Sequence, residues 1–463
     1  MITSTSNIQS IKANNAPAPL PTRWGLPLVG VLPQLLMDPF GYIVRSWEQF
    51  GDIYALNLGF IKILMLNHPR HAQYVMRDNA ENYYKGGPIW DSLRGFVGNG
   101  LVTSDGAFWL RQRRLMQPQF HRQRLAGLTE LMVEAIDEAL QLWLPAAGSG
   151  KPFELNTNFN QLTLRVIAKT LFGTALSAAE LDEMSSLMAY TLGYLLTDAS
   201  TQALPAWLPI PGRRRYRQAI ARCNEMIYQI IHDSRQGIGP ENHLLAMLLN
   251  LVDEETGEAM DDRQLRDELA TLFLAGYETT SIALTWAMHQ LMQHPDVLAK
   301  VQAEADSVLG DRLPTFADLP NLNYTRMVIQ ETMRVNPPVF WLPRVAREAD
   351  EIDGYAVPAG THVISFTYAY HRHPEFWPNP DQFDPERFTP ENAAGRHHFA
   401  WIPFGAGQRQ CIGRDFAMME AQLALAIVAQ RFQMRPADKK AVQPMLASTL
   451  RPRGGLHVYL ESR

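Results

Sequence analysis

The sequence predicts one large, mainly α-helical domain with a minor β part. Three observations carry that expectation. An apolar pattern at helical spacing runs from Asp261 to His294, strand-like runs are few and short, and no linker, charge block, low-complexity tract or internal repeat divides the 463 residues. With 46% hydrophobic residues the chain can bury a sizeable core. Residues 1–20, which open Thr/Ser/Asn-rich, are expected to be a mobile tail ahead of a single domain over 21–463.

Taken in order, 53–58 (IYALNL) and 61–66 (IKILML) have the composition of two short strands turned at Gly59. From about 107 to 250 the pattern is mostly helical, with a break between Leu204 and Gly212 where three prolines forbid helix. The 261–294 pattern then opens on two aspartates, favoured at a helix N-terminus, and closes before Pro295. Leu265, Leu269, Leu272, Phe273, Ala283, Trp286 and Ala287 recur along it, and its second half carries little charge besides Glu278, so this helix should be buried. A further helix bearing Glu331 and Arg334 stops at Pro337-Pro338, and a strand hairpin is expected around 354–366. Five prolines between 371 and 390 make a stiff coil, and a last helix begins near Cys411.

Net charge is −5, so no global basic field points to nucleic acid or an anionic membrane. Arg213, Arg214, Arg215 and Arg217 are read as a solvated surface. Two cysteines, Cys223 and Cys411, exclude a disulfide framework and fit a reducing cytoplasm. The N-terminus has no signal-peptide pattern, and the apolar stretch Gly25 to Leu36 is too short and too proline-broken to span a membrane.

The chemistry concentrates in Phe404-Gly405-Ala406-Gly407-Gln408-Arg409-Gln410-Cys411-Ile412-Gly413. The glycines permit a tight turn, and the cysteine falls where the next helix begins, where backbone N–H groups and the helix dipole favour a thiolate. A thiolate so placed suits a haem iron, and Gly413 lets a flat macrocycle approach closely. Upstream, Ala275-Gly276-Tyr277-Glu278-Thr279-Thr280 puts poor helix formers in the middle of a buried helix. A threonine hydroxyl there can bond a carbonyl one turn back and bend the helix, opening a gap. An acid beside an alcohol is what proton delivery to dioxygen needs, with Glu278 relaying protons and Thr279 donating a hydrogen bond. Glu331 and Arg334 lie three apart, on one helix face. The pairs His371/His373 and His397/His398 lack nearby carboxylates or cysteines at metal-site spacing.

This ordered set resembles the cytochrome P450 family from about residue 20 onward. The cysteine loop, the AGYETT run, Glu331-Thr332-Met333-Arg334 (ExxR), Pro385-Glu386-Arg387-Phe388 (PERF) and Trp109 to Arg113 (WxxxR) fall in the family's order. The resemblance implies a triangular-prism fold with haem b between the long central helix and the Cys-ligand helix, Cys411 as the iron ligand, and Arg387 joining Glu331 and Arg334 in a buried cluster. It makes Trp109, Arg113, Arg344 and Arg409 candidates for the haem propionates, with Phe404 and Gly413 also against the cofactor. Arg111 and Arg114 should point elsewhere. It draws a substrate pocket from Ile89, Trp90, Leu93, Phe96, Val97, Leu274, Ala275, Val339, Phe340 and Leu450, with the 187–210 region, Trp341, Leu342 and Thr449. That lining is almost wholly apolar, so the substrate should be a hydrophobic small molecule, terpenoid or fatty-acid-like. The implied reaction inserts one oxygen atom from O2, with electrons from a separate ferredoxin or flavodoxin and its reductase. Alternatives are a haem-thiolate peroxygenase or isomerase, whose family members tend to lose the acid–threonine pair, and a haem-based binding or sensor protein.

Overall fold

The computed structural model describes residues 19–463 except 60, 174, 175, 203, 206, 239–241, 254 and 439. The tail expected over 1–20 falls almost wholly outside the described residues. Thr22–Arg23 (β1) runs parallel to Ile53–Asn57 (β2), which turns through Gly59 and pairs antiparallel with Lys62–Leu66 (β3), as the composition of 53–58 and 61–66 predicts. Tyr83–Tyr84 (β4), Leu342–Ala346 (β5), Asp350–Ile352 (β6), Tyr355–Val357 (β7) and His362–Ser365 (β8) follow. Six of these strands form one mixed sheet in the order β1-β2-β3-β8-β5-β4.

The hairpin expected over 354–366 does not form as a unit. β7 pairs back onto β6 through Asp353 (φ 51°) and Gly354 (φ 80°), the positive-φ dipeptide of a tight hairpin turn. Pro358 follows directly on β7, Gly360 (φ 79°) turns the chain, and β8 inserts between β3 and β5 of the main sheet. The Asp-Gly turn signal, rather than the valines and isoleucines on either side, decides the pairing.

Phe432–Pro436, His457–Ser462 and Phe153–Glu154 make a separate three-stranded sheet, and Pro444–Leu446 pairs with Leu450–Pro452. Most of the rest is helical. Pro88–Val97 (α1) and Gly106–Met116 (α2) are followed by Leu155–Phe172 (α3). Ala178–Thr201 (α4), opened by a Ser177/Glu180 capping box, and Arg213–Arg235 (α5) flank the proline-rich break. Arg214, Arg215 and Arg217 are exposed, as expected of a solvated surface. Asp262–Gln293 (α6) is the long predicted helix. Asp261 caps it by accepting from the Gln264 N–H at 2.7 Å, and Pro295 begins the next helix. Its 32 residues span about 48 Å at 1.5 Å rise, and α3, α5, Asn323–Val335 (α7) and Arg414–Arg431 (α8) pack around it. From Ala421 to Ala429 every residue of α8 is buried, the all-round burial of a central helix.

Glu331 and Arg334 of α7 are fully buried and paired through both oxygens, Nε–Oε2 at 2.7 Å and Nη2–Oε1 at 2.8 Å. Arg334 also donates to the carbonyls of His371 (3.0 Å), Pro380 (2.6 Å) and Gln382 (2.9 Å), while Glu331 accepts from the Asp384 N–H at 2.8 Å. Arg387 joins with its Nε 3.5 Å from Glu331 Oε1. One ion pair thereby satisfies four backbone groups of the stiff 371–384 coil, at His371, Pro380, Gln382 and Asp384.

Candidate active site

Cys411 sits three residues ahead of α8, whose first residue follows Gly413. Its N–H donates to the Phe404 carbonyl at 2.8 Å, closing the loop. Gly405 and Gly407 have φ 68° and 66°, and a Cβ on Gly407 would stand 1.9 Å from the Met76 carbonyl oxygen. Only glycine allows the loop to lie against the 74–78 segment. Burial pushes the Cys411 thiol up, against the Gly413 N–H and the charges of Arg113 and Arg414, which pull it down. Helix-terminal donors alone therefore do not make a thiolate here, and a bound cationic metal would. The sulfur is wrapped by protein, yet the residue keeps accessible surface, so it faces an interior gap.

Ala275 also keeps accessible surface, although Phe273 and Tyr277 on either side are buried in the same helix. Thr279, one turn on, donates from Oγ1 to the Ala275 carbonyl at 2.8 Å, and Thr280 to Gly276 at 3.2 Å. Thr163 reaches the Tyr277 carbonyl at 2.9 Å and Ser281 the Glu278 carbonyl at 2.9 Å. Four consecutive carbonyls thus receive hydroxyls, while α6 remains continuous, so the small Ala275 side chain leaves open surface without a break in the helix; Gly276 instead lets Ile167 of α3 pack close, where a Cβ would stand 2.8 Å from its Cδ1. Glu278 Oε1 accepts from Ser448 (2.8 Å) and Thr449 (3.0 Å). Thr449, expected in the pocket, instead helps hold the acid, and Ser448 was not foreseen.

Around 85–105 the chain collects cations. Lys85 donates to the Val102 carbonyl at 2.7 Å, Arg344 to the Pro343 carbonyl at 2.7 Å, and Arg409 to the Ser104 carbonyl at 2.9 Å and to the Asp105 carboxylate. Arg409 lies over the Trp109 ring at 3.7 Å. Burial, then the neighbouring guanidiniums, push the Lys85 ammonium well down. Arg344 is held at about 10 by burial and by Arg409, and Arg409 at about 10 chiefly by burial. Asp105 is the single carboxylate acting on all three. Three cations against one acid, Arg344 buried and Lys85 and Arg409 half-buried, suit a ligand bearing carboxylates. Lys85 escaped the sequence reading because it belongs to no motif. Arg113 donates to the Gln410 carbonyl at 2.8 Å and acts electrostatically on Cys411 and Arg409, so it braces the cysteine loop at the edge of the cation set. Arg111 and Arg114 turn away, to Asp253 and Glu258 and to Glu255.

The pocket reading needs correction at four positions. Phe96 and Val97 are 2% and 1% exposed within the helical core, and Phe340 and Leu450 are fully buried beside Tyr54 and Phe366 against the sheet. Packed on all sides, they face no gap. Ile89, Trp90, Leu93, Leu274 and Val339 are half-buried and, with Ala275, remain the surfaces open to a ligand. His373 does come together with Asp52 and His68. The Nδ1 atoms of His68 and His373 accept from the N–H groups of Arg70 and Glu375, so each Nε2 carries the proton and faces Glu375 or Asp52. Hydrogen bonds account for the contacts of that trio.

A cysteine in a tight glycine loop ahead of a buried helix, accessible surface at that cysteine and at Ala275 of the central helix, and a nearby set of cations fit a haem-thiolate protein. The family model for cytochrome P450 matches residues 19–458. Cyclooctatin synthase of Streptomyces melanosporofaciens is 37% identical over 91% of this chain and 91% of its own, and cyclooctat-9-en-7-ol 5-monooxygenase of the same organism is 35% identical over 89% and 88%. Pentalenene oxygenase of Streptomyces avermitilis is 30% identical over 92% and 94%. The crystal structure of the cytochrome P450DA haem domain superposes with a TM-score of 0.86 at 27% identity, covering 97% of this chain and 98% of that one. The chain belongs to the cytochrome P450 family: it is a haem-dependent monooxygenase that uses O2, a substrate and electrons from redox partners. Among the described residues no helix is long and apolar enough to cross a membrane.

Proposed function

We propose that this monooxygenase oxidises a hydrophobic, terpenoid-like small molecule, with Cys411 holding the haem iron. The observation that carries the substrate class is the apolar set Ile89, Trp90, Leu93, Leu274, Ala275 and Val339, left open on α1, α6 and the turn before β5. Relatives named for a cyclic alkenol and a hydrocarbon support it. Lys85, Arg344 and Arg409, with Trp109 beside them, would take the haem carboxylates, and Phe404, Gly413 and Arg113 would shape the cysteine side. A Cβ on Gly413 would meet only the Cys411 sulfur within 4 Å, at 3.9 Å, which leaves room for a flat ring. Bound haem supplies the iron that binds and activates dioxygen.

The protein's own contribution is proton handling and exclusion of water. Ser448, on the exposed side of the C-terminal turn, and Thr449 hold the Glu278 carboxylate, which would pass protons inward. Thr279, poised one turn from Ala275, would give up its carbonyl bond to donate into the gap. The apolar lining keeps bulk water from competing there. Electrons would come from a cytoplasmic ferredoxin or flavodoxin with its reductase.

A binding screen watching the haem spectrum tests the substrate class, with cyclic terpene hydrocarbons, terpene alcohols and fatty acids as the panel. Terpenes should give the spectral shift of displaced iron-bound water at micromolar concentration, and a shift with fatty acids alone overturns the assignment. Turnover with ferredoxin and reductase, but not with peroxide alone, separates this reading from a peroxygenase.

A further inference from the structure

The segment Gly98 to Asp105, between α1 and α2, shows a sorted pattern of hydrogen bonds. Two of its amides go to acids of α6: Asn99 N–H to Asp267 Oδ2 at 2.7 Å and Leu101 N–H to Glu268 Oε2 at 2.9 Å. Three of its carbonyls go to cations from other elements: Val102 to Lys85 (2.7 Å), Thr103 to Arg94 (2.9 Å) and Ser104 to Arg409 (2.9 Å), while the Thr103 and Ser104 N–H groups close the segment on the Gly100 carbonyl. The approach to α6 is as close as backbone allows. A Cβ on Gly98 would lie 2.1 Å from the Asp267 carboxylate, and one on Gly100 2.3 Å from Thr271 Oγ1. Glu268 is fully buried, and its second oxygen has no hydrogen-bond partner among the described residues.

We propose that Asp267 and Glu268 are positioning residues that latch the 98–105 segment onto α6 and so hold Lys85 and Arg409 in place for the cofactor carboxylates. Two adjacent acids grip alternate amides of a segment whose opposite face holds the cations, so a shift of the segment moves both. Burial, with the Asp267 charge beside it, raises the Glu268 carboxyl to about 8. Arg266 pairs with Asp267 at 3.0 Å, while Lys85, Arg94 and Arg409 meet the segment from its carbonyl side, where its own Asp105 accepts from the Lys85 N–H and from Arg409. A carboxyl whose closed-state value exceeds its solvent value binds its proton more tightly when latched. The latch is therefore firmest in acid, weakens as pH climbs towards about 8, and changes little above.

The haem-related part rests on the assignment of Lys85 and Arg409 above, so two readouts keep the failures apart. Hydrogen–deuterium exchange of substrate-free holoenzyme reports the latch itself, and the rate of haem transfer to an excess of apo-globin reports its consequence. Glu268→Leu, which strands the Leu101 N–H, should raise exchange over 98–105 by roughly tenfold and speed haem transfer, with α8 as protected as before. Glu268→Gln keeps an acceptor and should restore both at pH 7. The ratio of wild-type to Glu268→Gln exchange in this segment should climb towards about pH 8 and then level. Unchanged exchange over 98–105 in Glu268→Leu, a rise spread evenly over the chain, or a ratio flat with pH overturns the latch. Faster exchange with unaltered haem transfer overturns only the link to the cofactor cations.

Discussion

At Thr279 two roles compete for one hydroxyl: it bonds the Ala275 carbonyl, and in the proposed mechanism it donates into the gap. Thr279→Val keeps the β-branched shape and removes the hydroxyl, so haem content and substrate-induced spectral shifts should survive. Product per reductant consumed should fall by roughly tenfold, the worth of one hydrogen bond of about 1–1.5 kcal/mol, with hydrogen peroxide released instead. Thr280→Val should do far less, because its hydroxyl is buried against the Glu420 side of the helix. Coupling equal to wild type in Thr279→Val removes that residue from the proton path. For Cys411→Ser, the strongly red-shifted band of the reduced, carbon-monoxide-bound protein should vanish, and retention of that band at full haem content would mean another ligand. Cys223→Ser should leave the band intact, since Cys223 is buried among core residues of α5, where burial holds its thiol near 12. These residues were legible in the sequence because their chemistry is local: Cys411 lies within a ten-residue loop and Thr279 within a six-residue run. Lys85 was not, because what makes it a candidate is its nearness to Arg344 and Arg409, more than two hundred and fifty positions away in the chain.

Elements hold these groups in place through a few buried ties. Glu331→Ala, Arg334→Ala or Arg387→Ala should each lower the yield of haem-loaded protein. Removing one member strands the others at about 3–5 kcal/mol, and Arg334 alone serves three carbonyls of the 371–384 coil. Arg387→Ala should be mildest, since its Nε is 3.5 Å from Glu331 and makes no hydrogen bond there. Mutants with normal yield and melting temperature would contradict a buried tie. Gly407→Ala tests the seat of the cysteine loop: the clash with the Met76 carbonyl should force the loop off and cut haem content, whereas Gly310→Ala, equally left-handed but open, should keep it. Helix limits were readable because caps and prolines mark them, as Asp261 and Pro295 do for α6. Strand partners were less so: β7 and β8 look alike in sequence, and a left-handed Asp353-Gly354 turn sends them to different sheets. The four mistaken pocket positions share a cause. An apolar side chain facing a ligand and one facing the core obey the same periodicity, and only packing separates Phe340 from Val339.

Across the whole molecule, the cost of burying charge sets how stability varies with pH. Glu420, in the middle of α8, is 1% exposed, and burial lifts its carboxyl well above the usual range, against the neighbouring Thr280 hydroxyl, which pulls it down. The native state therefore holds a proton that the unfolded chain releases near pH 4.5. Stability from this group is full below that value and falls as pH rises towards the native value, by up to about 1.4 kcal/mol per pH unit. His371 works the other way. Buried between the Met333 carbonyl and the Ile402 N–H, it is held neutral down to about 3, so stability is lost as pH falls below 6.5. Between 4.5 and 6.5 the two slopes oppose each other. Above 6.5 the histidine is silent and the buried acid remains. Glu420→Gln preserves shape and cannot ionise, so it isolates the acid's share. Its urea midpoint should match wild type near pH 5 and pull steadily ahead towards pH 8. His371→Gln should start lower, for want of its two bonds, and lose less than wild type on going from pH 6.5 to 5. Parallel pH curves for wild type and Glu420→Gln would mean that the carboxyl ionises freely in the fold, and that α8 admits enough water to solvate a charge beside the central helix.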